Sequence, residues 1–223
     1  MKNKEHIEYG NYYHIYNRGI NRQQIFRQEA DYLHFLKLMS IYLNPVANLY
    51  AYALMGNHFH LALSIKQESE IGYLSSKNYN SSMEQKWKVY FPKTNESFEK
   101  EQLYKKPIPT NMLQHFLNSY AKWFNNKYFR TGSLMEHNFK RIKIEDERYF
   151  RKLIIYIHQN PIHHNISDNL IAYKWTSFMS LISSKPTKLD RSTVIEWFEN
   201  RENFISVHNK NDDLSDINNF LFE

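Results

Sequence analysis

The 223-residue chain contains no cysteine. Disulfides, thiolate metal sites and cysteine nucleophiles are therefore excluded. It lacks any apolar run near the length of a membrane span, and its start, Met1 to Gly10, is polar rather than signal-like. A cytoplasmic protein with no membrane partner is expected. Internal repeats are absent as well. What is present is a globular composition, 42% hydrophobic and 23% charged, with 17 Tyr and 15 Phe. One core domain with additions fits these values.

The net charge of +6 is uneven. From Pro186 to the end, 4 Lys+Arg stand against 8 Asp+Glu, a net of −4, which leaves +10 on the first 185 residues. A basic, aromatic-rich body suits a polyanion such as nucleic acid. Ordinary surface charge is the alternative.

Periodicity outlines the elements. Tyr12 to Asn17 reads as a strand ended by Arg18-Gly19. Glu29 to Leu43 reads as a helix, with Tyr32, Phe35, Leu36, Met39 and Leu43 spaced by threes and fours and Asn44-Pro45 as the stop. Leu49 to Met55 and His58 to Ile65 read as strands joined by the two-residue turn Gly56-Asn57. A tight turn sets Met55 opposite His58, Ala53 opposite His60 and Ala51 opposite Ala62. The other face then carries Tyr50, Tyr52, Leu54, Phe59, Leu61, Leu63 and Ile65. Small residues around two histidines leave room for a ligand or a packed helix.

Lys66 to Thr110 is polar, with Pro92, Pro107 and Pro109. It reads as an insertion or long loop, with local helix near Trp87, either a DNA-binding arm or a decoration. Asn111 to Tyr128 is an amphipathic helix. Glu136 to Ile144 is a fourth strand, with Lys140, Ile142 and Ile144 on one face and Phe139, Arg141 and Lys143 on the other. A helix from Glu145 runs to Asn160, where Pro161 ends it. Ser192 to Ile205 is a last helix before a polar tail. The expected fold class is α+β: a ferredoxin-like βαββαβ core with an additional C-terminal helix carrying Tyr156. Residues 1–185 form the main domain, with 66–110 inserted, and residues 186–223 form a C-terminal helix and acidic tail.

His58 and His60 lie two apart on a strand, so both point to one face and can hold one metal ion. On the next-to-last helix, Tyr149, Leu153, Tyr156 and Asn160 share one side, at i, i+4, i+7 and i+11. Tyr156 and Asn160 therefore address one point, while His158 and Gln159 turn away. Asn160 offers a carbonyl oxygen as third ligand for a hard cation. A tyrosine beside a divalent metal can attack a phosphodiester. The bland alternatives are packing for Tyr156 and a helix-ending role for Asn160.

These residues resemble the single-tyrosine transposases of the His-hydrophobic-His nuclease superfamily, in the branch associated with repetitive extragenic palindromes. The matching segments are Tyr13-His14-Ile15-Tyr16-Asn17-Arg18-Gly19, Asn21-Arg22-Gln23-Gln24-Ile25-Phe26 and Ala53-Leu54-Met55-Gly56-Asn57-His58-Phe59-His60-Leu61. Phe139-Lys140-Arg141, Tyr156-Ile157-His158-Gln159-Asn160-Pro161 and Trp175-Thr176-Ser177-Phe178 follow in order. The resemblance spans residues 9–182 apart from the insertion. It implies an enzyme that cleaves and joins single-stranded DNA at imperfect hairpins. The resemblance also implies Mg²⁺ or Mn²⁺ held by His58 and His60, and Tyr156 as the nucleophile that forms a 5′-phosphotyrosine. Arg18, Arg22, Lys140, Arg141 and Lys143 are candidate phosphate contacts. By the same resemblance, a monomer or a homodimer is expected. Three departures stand out: Asn160 where insertion-sequence members carry Gln, His163-His164-Asn165 after Pro161, where an added metal contact is one reading, and the length of the insertion. The competing functions are a domesticated hairpin-DNA-binding protein with little catalytic activity and a replication-initiator or relaxase-like nuclease.

Overall fold

The computed structural model describes residues 7–91 and 104–210. Its centre is a four-stranded sheet of β1 (Tyr12–Arg18), β2 (Ala47–Leu54), β3 (His58–Ile65) and β7 (Lys140–Ile144), in the order β2-β3-β1-β7. Every neighbouring pair is antiparallel. β1 thus sits between two strands far from it in sequence. Helix α1 (Glu29–Leu43) links β1 to β2, and α3 (Pro109–Lys127) precedes β7.

The β2–β3 hairpin closes through the Gly56-Asn57 turn. Met55 N–H donates to His58 O at 2.8 Å, and His58 N–H returns to Met55 O at 3.3 Å. The chain leaving β1 straps this turn: Gly19 N–H donates to Asn57 O at 2.8 Å, and Ile25 and Phe26 both donate to Gly56 O. A Cβ on Gly19 would lie 2.1 Å from the Gln23 carbonyl oxygen. Only glycine permits so close a backbone approach.

Both faces of the sheet are covered. On one, Phe35 of α1 meets Phe59 at 5.1 Å, Phe116 at 4.7 Å and Tyr120 at 5.0 Å between ring centres. Each such buried ring contributes about 1.5–3 kcal/mol over an exposed one. On the other face lies α4 (Glu147–His163), packed on β2 and β3. Asp146 starts α4 by accepting from the Arg148 and Tyr149 amides.

Several elements differ from the sequence reading. Pro161 does not end its helix. In the last turn its missing N–H costs one bond, and its fixed φ suits the helix. The helix ends at His163, where Asn165 takes the left-handed conformation (φ 54). Ile166 then donates to Pro161 O and Asn165 to Ile162 O. A bulge between Leu49 and Ala51 turns Tyr50 onto the histidine face, where its hydroxyl pairs with Ser64 at 2.8 Å. The fourth strand is shorter at its start, Lys140 rather than Glu136. The stretch 66–110 is no mere loop: β4 (Tyr73–Ser75), β5 (Val89–Tyr90) and β6 (Tyr104–Lys105) make a second sheet, beside the short helix α2 (Met83–Lys86). Residues 92–103 of it lie outside the described part.

Beyond α5 (Phe178–Ile182), the expected single helix is two, α6 (Arg191–Trp197) and α7 (Arg201–His208). They are separated where Glu199 takes φ 68 and Asn200 caps the second through Asn203 N–H. The polar tail expected after them falls on residues 211–223, outside the described part. Residues 175–177 pair with the outer edge of β2, through Leu54 N–H to Trp175 O and Ser177 N–H to Tyr52 O. That covers an edge that would otherwise present unpaired backbone.

Candidate active site

The pairing of β1 with β3 sets Arg18 opposite His58, Tyr16 opposite His60 and His14 opposite Ala62. Ala53 stands opposite His60 on the other side. Side chains directly opposite each other share a face, so His14, Tyr16, Arg18, His58 and His60 line the surface that α4 covers. The small Ala51 and Ala53 let the helix approach.

Four residues singled out from the sequence meet here. The His58 Nε2 lies 3.2 Å from Asn160 Oδ1. The His60 and Tyr156 rings meet edge to face, 5.8 Å between centres, and the His58 and His60 rings lie 5.2 Å apart. The site is enclosed: His60 is 8% exposed, Tyr156 4% and Asn160 0%. His158 and Gln159 lead elsewhere. His158 lies between His208 Nε2 at 2.8 Å and Ser177 Oγ at 2.7 Å, and Gln159 donates to His208 O.

Both histidines are oriented from behind. His58 Nδ1 contacts Asn57 Oδ1 at 2.6 Å, and His60 Nδ1 contacts His14 Nε2 at 2.9 Å. If each Nδ1 carries the proton, each Nε2 keeps a lone pair, which is the tautomer a metal-binding histidine uses. Burial pushes His14 down to about 3. Burial, then the neighbouring His14, His58 and His164 rings, holds His60 well below the ordinary histidine range. Both are neutral at pH 7.

The donor set fits a small hard cation. With Nδ1 donating, His58 Nε2 and Asn160 Oδ1 are two lone-pair atoms facing each other at 3.2 Å. Neighbouring ligands around a cation that binds at 2.0–2.1 Å lie about 3 Å apart. Asn160 Nδ2 is buried with no hydrogen-bond partner; as a donor it calls for an acceptor and adds nothing to the case for a cation. Among the described residues no group of three His, Asp or Glu side chains is arranged to hold a metal. A cation held by His58 and His60 would therefore need the Asn160 amide oxygen as well.

Comparison of the sequence with protein-family models and with curated proteins finds no match. The fold, however, is shared with a solved transposase. A REP-associated tyrosine transposase bound to a REP hairpin superposes with a TM-score of 0.51, over 83% of this chain and 88% of the transposase, at 12% identity. At that identity the likeness to the transposase concerns the fold alone. The mixed α+β architecture agrees with it. Among the described residues no helix is long and apolar enough to cross a membrane.

The basic residues divide. Arg18 pairs with Glu136 on the histidine face, and Lys140 lies exposed opposite Tyr16 on that same face. Arg22 is exposed, and its carbonyl is 3.4 Å from Asn57 Nδ2 beside the hairpin turn. Arg141 and Lys143 point to the other face, opposite Ile15 and Tyr13. Lys143 pairs with Glu8 at 2.6 Å, and Arg141 borders a cavity of about 340 Å³ against α3.

Sequence reasoning missed the roles of His14 and Asn57, which buttress the two histidines. His164, in the segment just after Pro161, lies with its ring 5.2 Å from that of His58. The alternation Tyr12, His14, Tyr16 puts His14 on one face of β1, and the neighbour it meets depends on strand pairing.

Proposed function

We propose that the chain is a metal-dependent transposase-type enzyme that cleaves single-stranded DNA at hairpins and transfers the strand through a 5′-phosphotyrosine on Tyr156. The observation that carries this reading is the convergence of His58, His60, Tyr156 and Asn160 on one sheet face, from elements about a hundred residues apart. The fold shared with a transposase bound to a DNA hairpin supports it. In this reading the core is ferredoxin-like, residues 1–185 are the catalytic domain, 66–110 are its insertion, and 186–223 are a C-terminal addition.

His58, His60 and the Asn160 oxygen would hold the cation, Mg²⁺ or Mn²⁺. When bound, the cation neutralises charge on the scissile phosphate. Asn57 and His14 hold the two rings in their ligating tautomer. The Tyr156 oxygen bonds to phosphorus as the bond to the 3′ oxygen breaks. The phenol loses its proton, and the 3′ oxygen gains one and leaves as a hydroxyl. The ester keeps the bond energy, so a second 3′ end reverses the step without ATP. Arg18, Arg22 and Lys140 hold phosphates beside the site.

One observation favours hairpin binding without efficient chemistry. Tyr156 is 4% exposed, so little of the side chain is open to a phosphate. Incubation with labelled single-stranded hairpins from the gene's flanks and Mn²⁺, followed by denaturing electrophoresis, separates the two. We expect a covalent adduct that is lost with Tyr156→Phe or chelator while DNA binding persists. Binding without adduct under every metal and flank tried would leave the binding protein as the better reading.

A further inference from the structure

The insertion between β3 and α3 packs a basic, aromatic surface against the helical layer, on the opposite side of the sheet from Tyr156. Its described residues, 66–91 and 104–108, include six lysines and three glutamates. The small sheet β5-β4-β6 and the short α2 enclose a cavity of about 400 Å³ with the start of α3. Tyr79, Lys86, Trp87, Tyr104, Lys105 and His115 line it.

The rings fall into two classes. Trp87 is the wall: half-buried, it packs 4.9 Å from Tyr42 of α1 and 5.1 Å from His115 of α3. Tyr79 is 69% exposed, and Tyr104 is 39% exposed. Neither ring is part of the buried core: Tyr79 stands beside a cation, and Tyr104 meets the Tyr90 ring edge-on at 6.5 Å. Lys86 Nζ lies 4.2 Å from the Tyr79 ring centre and 5.6 Å from that of Trp87, and Lys105 is exposed next to Tyr104. Glu84 of α2 pairs with Lys37 of α1, whereas Glu68 pairs with Lys106, itself a lining residue, so Lys86 and Lys105 rather than Lys106 are the cations of interest.

Exposed rings interleaved with lysines along a groove are the equipment for unpaired nucleotides. Each base has a face to stack on a ring, and each phosphate meets an ammonium. A duplex keeps its bases stacked and leaves the rings unused. We propose that this groove is a second binding surface for single-stranded nucleic acid, separate from the His58–His60–Tyr156 site, with Tyr79 and Tyr104 stacking bases and Lys86 and Lys105 holding phosphates.

The test uses the full chain and a dT 15-mer carrying 5-iododeoxyuridine. It combines photo-cross-linking and peptide mapping with affinity measured at several salt concentrations. Cross-links on the peptides bearing Tyr79 or Tyr104 are expected. Tyr79→Ala combined with Lys86→Ala should weaken binding about tenfold, the scale of removing one stack. It should also flatten the salt dependence by roughly 0.7 in log–log slope for each phosphate no longer held by a lysine. Tyr79 is exposed and Trp87 is left intact, so the variant retains its fold, checked by its melting temperature. Cross-links confined to β3 and α4, or unchanged affinity in Tyr79→Ala/Lys86→Ala and in Lys105→Ala, would overturn the proposal. The Tyr156 adduct assay reads the other site independently: an adduct without groove cross-links sinks this surface alone, and groove cross-links without an adduct sink only the reading of Tyr156.

Discussion

The side chains that orient the two histidines illustrate how much one residue can decide. Asn57 is a turn residue by position and a histidine positioner by contact, since its amide oxygen accepts from His58 Nδ1 at 2.6 Å. Removing it lets the ring choose its tautomer and rotate. Asn57→Ala is expected to weaken Mn²⁺ binding about 10- to 100-fold, the usual cost of removing such a partner. Isothermal titration of Mn²⁺ into variant and parent measures it directly, and equal affinities would mean that the Asn57 side chain plays no part. The other buttress, His14, is legible as a strand residue. Its contact with His60 is a property of strand pairing, because no spacing within β1 points to β3.

At the scale of elements, Asp31 ties α1 to the end of α3. Its buried carboxylate accepts from the Arg27 and Gln28 amides at 2.7 and 3.0 Å, from Lys127 at 2.6 Å, and from the Tyr128 hydroxyl at 2.9 Å. Burial pushes this carboxyl up. The Lys127 ammonium, the Arg27 amide, the Tyr128 hydroxyl and the Gln28 amide together outweigh that and hold it below its ordinary value. A carboxyl lowered by folding stabilises the fold above the ordinary carboxylate range, and that stabilisation drains away as pH falls through the lowered value. Asp31→Ala should cost about 2–3 kcal/mol at pH 7, because it breaks the capping box with Gln28 and strands the Arg27 and Gln28 amides and Lys127. The gap between variant and parent should narrow at acid pH. Urea midpoints across a pH series give both numbers, and a gap that widened in acid would contradict the assignment.

The whole molecule is closed by its C-terminal helices. Phe204 of α7 is fully buried, stacked 5.7 Å from Phe178 and edge-on to Phe198 at 5.0 Å. His208 reaches from the same helix to His158 of α4, on the side away from Tyr156. The backing of the tyrosine helix therefore comes from a segment about fifty residues later. Phe204→Ala removes the ring that joins these pieces and should cost about 3–5 kcal/mol. Denaturant unfolding reads that loss. A cost below about 1 kcal/mol would show that α7 is not part of the cooperative core.

Local pattern determined the elements whose burial repeats along the chain. α1 runs from Glu29 to Leu43 and β3 from His58 to Ile65, as periodicity and the Gly56-Asn57 turn require. The i, i+4, i+7, i+11 spacing likewise puts Tyr156 and Asn160 on one side of α4. Tertiary structure decided what periodicity cannot carry. The bulge that turns Tyr50 inward answers to packing against Phe150 and Trp197, both remote in sequence. The order β2-β3-β1-β7 decides that His14 backs His60 and that Arg141 leaves the histidine face. The sequence alone settled which side chains share a face of each element, because that follows from the helical and strand repeats. Which faces meet, and hence what surrounds His58, His60 and Tyr156, was left to long-range pairing and burial, which no local spacing encodes.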